Sequence, residues 1–144
     1  MVVLGIDPHS VKPYGWAILE DDKPMIYGKA SLLEIQTIID IYEPDLVAIE
    51  DQYLARNFKT TKALSLSAGK VLGLAEVRGI KTVSVNVARW KAAFHCTEGK
   101  GSHIQAVTMA LRKYIRGNPD DDEASAIGIG WYAWSESKRN PLTK

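Results

Sequence analysis

The 144-residue chain has a single cysteine, Cys96, so an internal disulfide is excluded and a reducing cytoplasm is the expected setting. No apolar run approaches the ~20 residues that a membrane-spanning helix needs. The opening Met1-Val-Val-Leu-Gly-Ile-Asp7 lacks a basic region and meets a charge too early for a secretory signal. His95, Cys96 and His103 lack the spacing of a zinc site, and packing is the expected role of each. Repeats and low-complexity blocks are absent. What remains is an ordinary globular composition, 46% hydrophobic and 24% charged, at a length that supports one sizeable core. The expected organisation is one domain over residues 1–135, followed by a polar, unstructured tail over 136–144.

Acidic residues are scarce in the middle of the chain. Between Gln52 and Thr97 stand Arg56, Lys59, Lys62, Lys70, Arg78, Lys81, Arg89 and Lys91, against the single acid Glu76. A net charge of +1 conceals this segregation. With Tyr53, Phe58 and Trp90 interleaved, the stretch suits a phosphate-rich partner; a solvated lysine-rich helix face has the same composition.

Hydrophobic patterning gives the order of elements. Short apolar runs at 2–6, 14–19 and 25–30 read as three strands, the last two joined by the polar turn 20–24. Ser31 caps a helix whose Leu32, Leu33, Ile35, Ile38, Ile39 and Ile41 recur at helical spacing, and Pro44-Asp45 ends it. A fourth strand at 46–49, a long helix from about Thr60 to Arg78 closed by Gly79, and a fifth strand at 81–85 follow. Helical segments are expected near 86–95, 103–116 and 121–134. The class is α/β, a single domain built on a five-stranded mixed sheet flanked by helices.

Against that order the acids stand out. Asp7 closes the first strand and Glu50 the fourth, and strand ends are where sites form in open α/β sheets. The run Asp120-Asp121-Asp122-Glu123 opens the last helix, where unpaired N–H groups favour negative charge. Capping alone accounts for such a run. Carboxylates ending two apolar strands ask for more, because they would repel one another unless a cation lay between them. Hard oxygen donors suit Mg²⁺. The small residues Ala124-Ser-Ala-Ile-Gly-Ile-Gly130 would let the last helix lie close on the sheet, bringing its first turn to Asp7 and Glu50.

Gly5-Ile-Asp-Pro8, Gly15-Trp16-Ala17, Ala48-Ile-Glu50, Ala55-Arg56-Asn57, the helix over 63–73, Trp90-Lys91, the Gly99-Lys100-Gly101 loop and the acidic helix start occur in an order that resembles the RuvC-type Holliday junction resolvases. These are nucleases of the ribonuclease H-like superfamily, and the resemblance runs along nearly the whole chain. It implies the ribonuclease H-like fold and a homodimer acting on branched, four-way DNA. It also implies metal-dependent phosphodiester hydrolysis with two Mg²⁺ ions per active site, Mn²⁺ also being tolerated. Asp7, Glu50 and Asp122 match the family's metal-binding carboxylates, and Lys91 matches a lysine near the active site. Lys100 stands in for a second lysine. Tyr53 matches an aromatic that inserts at the junction centre, and Arg56, Asn57, Lys59 and Lys62 would join Lys100 in holding DNA. Two positions depart from the pattern: His9 stands where the family has glycine, and Ser125 where it has a catalytic aspartate. Ser125 opens an alternative, a junction-binding protein without cleavage activity. An actin-like nucleotide-binding domain would need a glycine-rich phosphate loop and a second similar domain, which this sequence lacks.

Overall fold

The computed structural model describes residues 1–51, 58–96 and 101–140, the side chains of 58–61 excepted. Tyr53, Arg56, Asn57, the Lys59 side chain and Lys100 therefore lie outside the described residues. The strands are β1 (Val2–Asp7), β2 (Tyr14–Glu20), β3 (Lys23–Ala30), β4 (Leu46–Glu50) and β5 (Lys81–Val85). The helices are α1 (Leu32–Tyr42), α2 (Phe58–Val77), α3 (Val87–Ala93), α4 (Ser102–Ala110) and α5 (Asp121–Arg139). The sheet order is β3-β2-β1-β4-β5. The first three strands form an antiparallel meander, and β4 and β5 extend it in parallel on the other side of β1.

Side chains alternate across a strand with period two, so each strand contributes to two cores. Leu4, Ile6, Trp16, Ile18, Val47 and Ile49 pack on one face with Ile35, Ile38 and Ile39 of α1 and with Ala68, Val71 and Ala75 of α2. The intervening residues Val3, Ala17, Leu19, Leu46 and Ala48 pack on the other face with Ala126, Ile127, Ile129 and Ala133 of α5. The β1 and β4 segments are apolar on both faces, as central strands must be. The same alternation sends Asp7 and Glu50, the last residues of their strands, toward the α5 face.

Helix starts follow their caps. Ser31 accepts a hydrogen bond from the Glu34 amide at 3.2 Å, and the Glu34 carboxylate accepts one from the Ser31 amide at 2.9 Å. Asp120 and Glu123 repeat this reciprocal pairing at the start of α5. Two expectations need correction. The helix expected over 103–116 stops at Ala110, and Tyr114 continues the chain in turns held by the Leu111 carbonyl. The last helix does not end at 134 but continues to Arg139, so 135–139 is not an unstructured tail. Lys138 and Arg139 occupy its final turn, where the helix dipole favours cations, and helical order outweighs the polar composition there.

Candidate active site

The site is a row of residues across one end of the sheet. Asp7 on β1 pairs with Gly15 on β2, and Gly15 pairs with Lys29 on β3. On the other side of β1, Ile6 pairs with Ile49, which puts Glu50 beside Asp7 on the adjoining parallel strand. The gap in the row is Gly15. A Cβ there would strike the carbonyl oxygen of Asp122 and lie 3.0 Å from its Cβ, so the first turn of α5 rests directly on this glycine. Gly5, two residues before Asp7, is pressed in the same way by the Ala126 carbonyl and, at 2.8 Å, by the Gly130 amide. Small residues on both elements thus seat the helix backbone on the strand backbone and deliver Asp122 to the row, as the sequence pattern predicts.

The four acids of the opening run have separate uses. Asp120 and Glu123 cap the helix. Asp121 is mostly exposed and pairs with His103 on α4, so it does not join the row. Asp122 is buried and turns inward. Its Oδ1 lies 2.9 Å from His9 Nε2, while its Oδ2 faces Lys29 at 2.8 Å and Lys12 at 3.5 Å. Lys29 also reaches Asp120 at 3.1 Å.

His9 occupies the middle of the cluster. Its Nε2 is 3.4 Å from Asp7 Oδ2, and the ligand atoms of Asp7, His9 and Asp122 all fall within 4.8 Å of one another. That nitrogen is buried yet makes no hydrogen bond of good geometry. The loop that carries it is fixed from behind. The Ser67 hydroxyl donates to the His9 carbonyl at 2.6 Å, and the Tyr14 hydroxyl donates to the Ser67 carbonyl at 2.9 Å. A buried serine on α2, itself bonded by the first residue of β2, therefore holds the backbone that carries the imidazole.

Charge balance follows the geometry. Burial pushes the Asp7 carboxyl up, and the adjacent His9 only partly offsets it. Glu50 is pushed up to about 7, first by burial and then by the charge on Asp7; Lys91 and the Trp90 indole N–H act against this. Asp122 is also penalised by burial, but Lys29, His9 and Lys12 hold its carboxyl below the ordinary range. Asp7 raises His9 in turn. The net result is a row of three carboxyls, two of them raised by burial and the third held ionised by the cations around it.

Trp90 links the site to α3. It is fully buried, edge-on to Phe94 and His103, and its ring fills the space where a Cβ on Gly128 would stand. Packing against α5 thereby orients Trp90 Nε1, which is buried without a hydrogen bond of good geometry, and carries Lys91 into the field of Glu50. Ser125 is buried one turn along α5 from Asp122 and brings no charge. Lys62 is exposed on α2. Arg78 leaves the basic stretch: it pairs with Asp40 of α1 at 2.7 Å and closes a helix–helix contact.

Sequence reasoning placed Asp7, Glu50, Asp122 and Lys91 in one neighbourhood, and the structure brings them there. It noticed His9 only as a departure and missed Lys29 altogether. Lys29 reaches the site through the β2–β3 pairing, which sets it opposite Gly15 across a hairpin whose register shifts between Ile18 and Leu19. The donor set fits a divalent cation: two carboxylates and an imidazole converge, Glu50 flanks them, and one buried nitrogen lacks a proper partner.

No family model matches the chain. Known proteins do. The crossover junction endodeoxyribonuclease RuvC of Thermomicrobium roseum is 27% identical over 157 residues, covering 95% of this chain and 96% of that one. Among solved structures, Thermus thermophilus RuvC in complex with a Holliday junction substrate superposes with a TM-score of 0.72 at 21% identity, with 97% of each chain covered. The fowlpox virus Holliday junction resolvase gives 0.58 at 18% identity, covering 94% of this chain and 99% of its own. In fold this chain is ribonuclease H-like, and along nearly its whole length it is similar to the RuvC-type crossover junction endodeoxyribonucleases.

Proposed function

We propose that this protein is a structure-specific endonuclease that resolves four-way DNA junctions in recombination and repair by divalent-metal-dependent hydrolysis of phosphodiester bonds. The observation that carries the reading is the convergence of Asp7, Glu50 and Asp122 at one end of the sheet, in a chain whose relatives are crossover junction endonucleases. Asp7, Glu50 and Asp122 would hold the ions, Mg²⁺ in the first instance. Bound divalent ions polarise the phosphoryl group and acidify the attacking water. The chain's own residues do the rest. Strand ends fix Asp7 and Glu50, the Gly15 contact fixes Asp122, and Lys91 supplies positive charge to the incoming phosphate. Water adds to phosphorus, the bond to the 3′-oxygen breaks, and that oxygen takes a proton. The products are a 5′-phosphate and a 3′-hydroxyl that can be religated.

Affinity would come from Arg56, Asn57, Lys59, Lys62 and Lys100, with the strong salt dependence of phosphate contacts. Tyr53 would stack on an unpaired base at the branch point. A homodimer would match the two-fold symmetry of the junction. Ser125, in place of an aspartate, reduces the negative charge facing the ions and weakens cleavage while leaving junction binding intact. A second reading, binding without cutting, draws on Ser125 and on the pairing of Asp122 with His9, Lys29 and Lys12. Metal-dependent nicking of a synthetic four-way junction, with linear duplex as control and Asp7→Asn as the inactive reference, tests the proposal. Junction binding without nicking under any divalent ion favours the second reading.

A further inference from the structure

We propose that His9 is a direct metal ligand, and that Asp7, His9 and Asp122 form a mixed oxygen–nitrogen site that takes a nitrogen-accepting first-row ion such as Co²⁺ or Zn²⁺ in preference to Mg²⁺. The inference rests on the reading that this cluster holds divalent ions, and it specifies which ions.

Three observations carry it. The first is spacing. His9 Nε2 stands 2.9 Å from Asp122 Oδ1 and 3.4 Å from Asp7 Oδ2. Donors bound at ~2.0–2.1 Å to one ion lie about 2.8–3.4 Å from each other at neighbouring octahedral or tetrahedral positions. The second is the state of the nitrogen, which is buried, lacks a well-directed hydrogen bond and faces two carboxylates. The third is rigidity. Ser67, itself held by Tyr14, ties the His9 carbonyl to α2, so the backbone that carries the imidazole is fixed before any ion arrives. The lysines do not compete for the same atom. Lys29 and Lys12 face Asp122 Oδ2, while Oδ1 is the oxygen turned toward His9. Lys29 thereby orients the carboxylate with its other oxygen toward the site.

The chemistry sets the preference. Mg²⁺ favours oxygen donors and retains its water, whereas imidazole suits later first-row ions. Exchanging one oxygen donor for a neutral nitrogen tilts the pocket further from Mg²⁺ and toward those ions. The rival role for His9 is a cation that neutralises two acids in place of metal, and this has the opposite consequence for binding.

The test titrates Co²⁺ and, separately, Mg²⁺ into the full chain, its H9G variant and its H9Q variant, which keeps side-chain bulk. Ligation of His9 gives a paramagnetically shifted imidazole N–H resonance with Co²⁺ that both variants lose. Co²⁺ affinity should fall by at least the ~10–100-fold that even an outer-shell partner costs, while Mg²⁺ affinity changes far less. Circular dichroism establishes that the variants are folded. Absence of the shifted resonance, or Co²⁺ binding as tight or tighter in either folded variant, overturns the proposal. Junction nicking is scored independently. Mg²⁺-dependent nicking without a His9 resonance sinks this inference and leaves the nuclease reading intact. A His9 resonance in a protein that never nicks supports the site and removes the nuclease.

Discussion

Asp122 rests on Gly15: the backbone of the first turn of α5 occupies the space that a side chain on β2 would fill. Gly15 is also the residue between Asp7 and Lys29 in the sheet. One missing Cβ therefore decides whether a helix carboxylate reaches a strand carboxylate. The requirement is for close approach rather than for a special backbone conformation.

Gly15→Ala should accordingly separate fold from site. The added methyl meets main chain, which cannot rotate away, so α5 must shift at its N-terminal end. Such overpacking costs about 1–3 kcal/mol, a loss that a core of this size can absorb. Thermal unfolding should show a folded but destabilised protein, and divalent-ion affinity should drop by more than the stability loss alone would suggest. Unchanged ion affinity in a folded variant would mean that the Asp7–Asp122 approach is not what binds metal.

The raised carboxyls give a pH signature without metal. Asp7 and Glu50 are shifted upward on folding, Glu50 to about 7, so the folded chain holds more protons than the unfolded chain above the ordinary carboxylate range. Stability must then fall as pH rises through that window. His9 is also raised and acts in the same sense, its contribution fading at higher pH. Asp122, held low, acts in the opposite sense, but only at pH below the ordinary carboxylate range. In chelator, stability should decline between about pH 5 and pH 8, with Glu50 alone accounting for on the order of 3 kcal/mol. A saturating divalent ion should remove most of the slope, because it stabilises the ionised acids. Thermal melts across this range check the sign; a rise with pH in chelator would contradict it.

Tyr53→Ala addresses substrate choice. Stacking on an unpaired base is worth ~1–3 kcal/mol, and only a branched substrate offers such a base. Junction cleavage should fall by one to two orders of magnitude, whereas cleavage of linear duplex, however slow, should be unchanged. Equal losses on both substrates would reduce Tyr53 to a structural role.

The charge pattern makes a further separation. Removing Arg56 and Lys59 together should weaken junction binding and flatten its salt dependence. Arg78→Ala should instead lower stability with no change in the salt slope, since Arg78 is paired with Asp40 between α1 and α2.

Much of this was legible in the sequence because it depends on local periodicity. Short continuous apolar runs in Val2–Asp7 and Leu46–Glu50 announced buried strands, and a carboxylate ending each of them announced a site. The reciprocal caps Ser31–Glu34 and Asp120–Glu123 are signatures of three-residue spacing. What sequence could not supply was register across strands. Lys29 meets Asp122 only because the β2–β3 pairing aligns it with Gly15, and no local pattern encodes that. His9 was visible as an unexpected residue, but its backbone is held by Ser67, which is distant in sequence. The ends of α4 and α5 were misjudged because composition misleads in opposite directions: Lys113-Tyr-Ile-Arg116 mixes charge with apolar residues as a helix does, and Ser135–Arg139 is wholly polar. The first segment nevertheless turns at Tyr114 and Gly117, and the second continues α5 into a last turn that carries Lys138 and Arg139.

Ser125→Asp is the most direct test of the central claim that Asp7, Glu50 and Asp122 form a metal-dependent junction-cleaving centre short of one carboxylate. The measurement is the rate of Mg²⁺-dependent nicking of a synthetic four-way junction by the chain as it stands and by the variant, with junction affinity measured in parallel. The predicted result is a gain in rate of orders of magnitude at nearly constant affinity, with paired nicks bearing 5′-phosphates that Asp7→Asn abolishes. If the unaltered chain already cuts briskly and Ser125→Asp adds nothing, or if the variant binds junctions and metal yet never cuts, the account is contradicted.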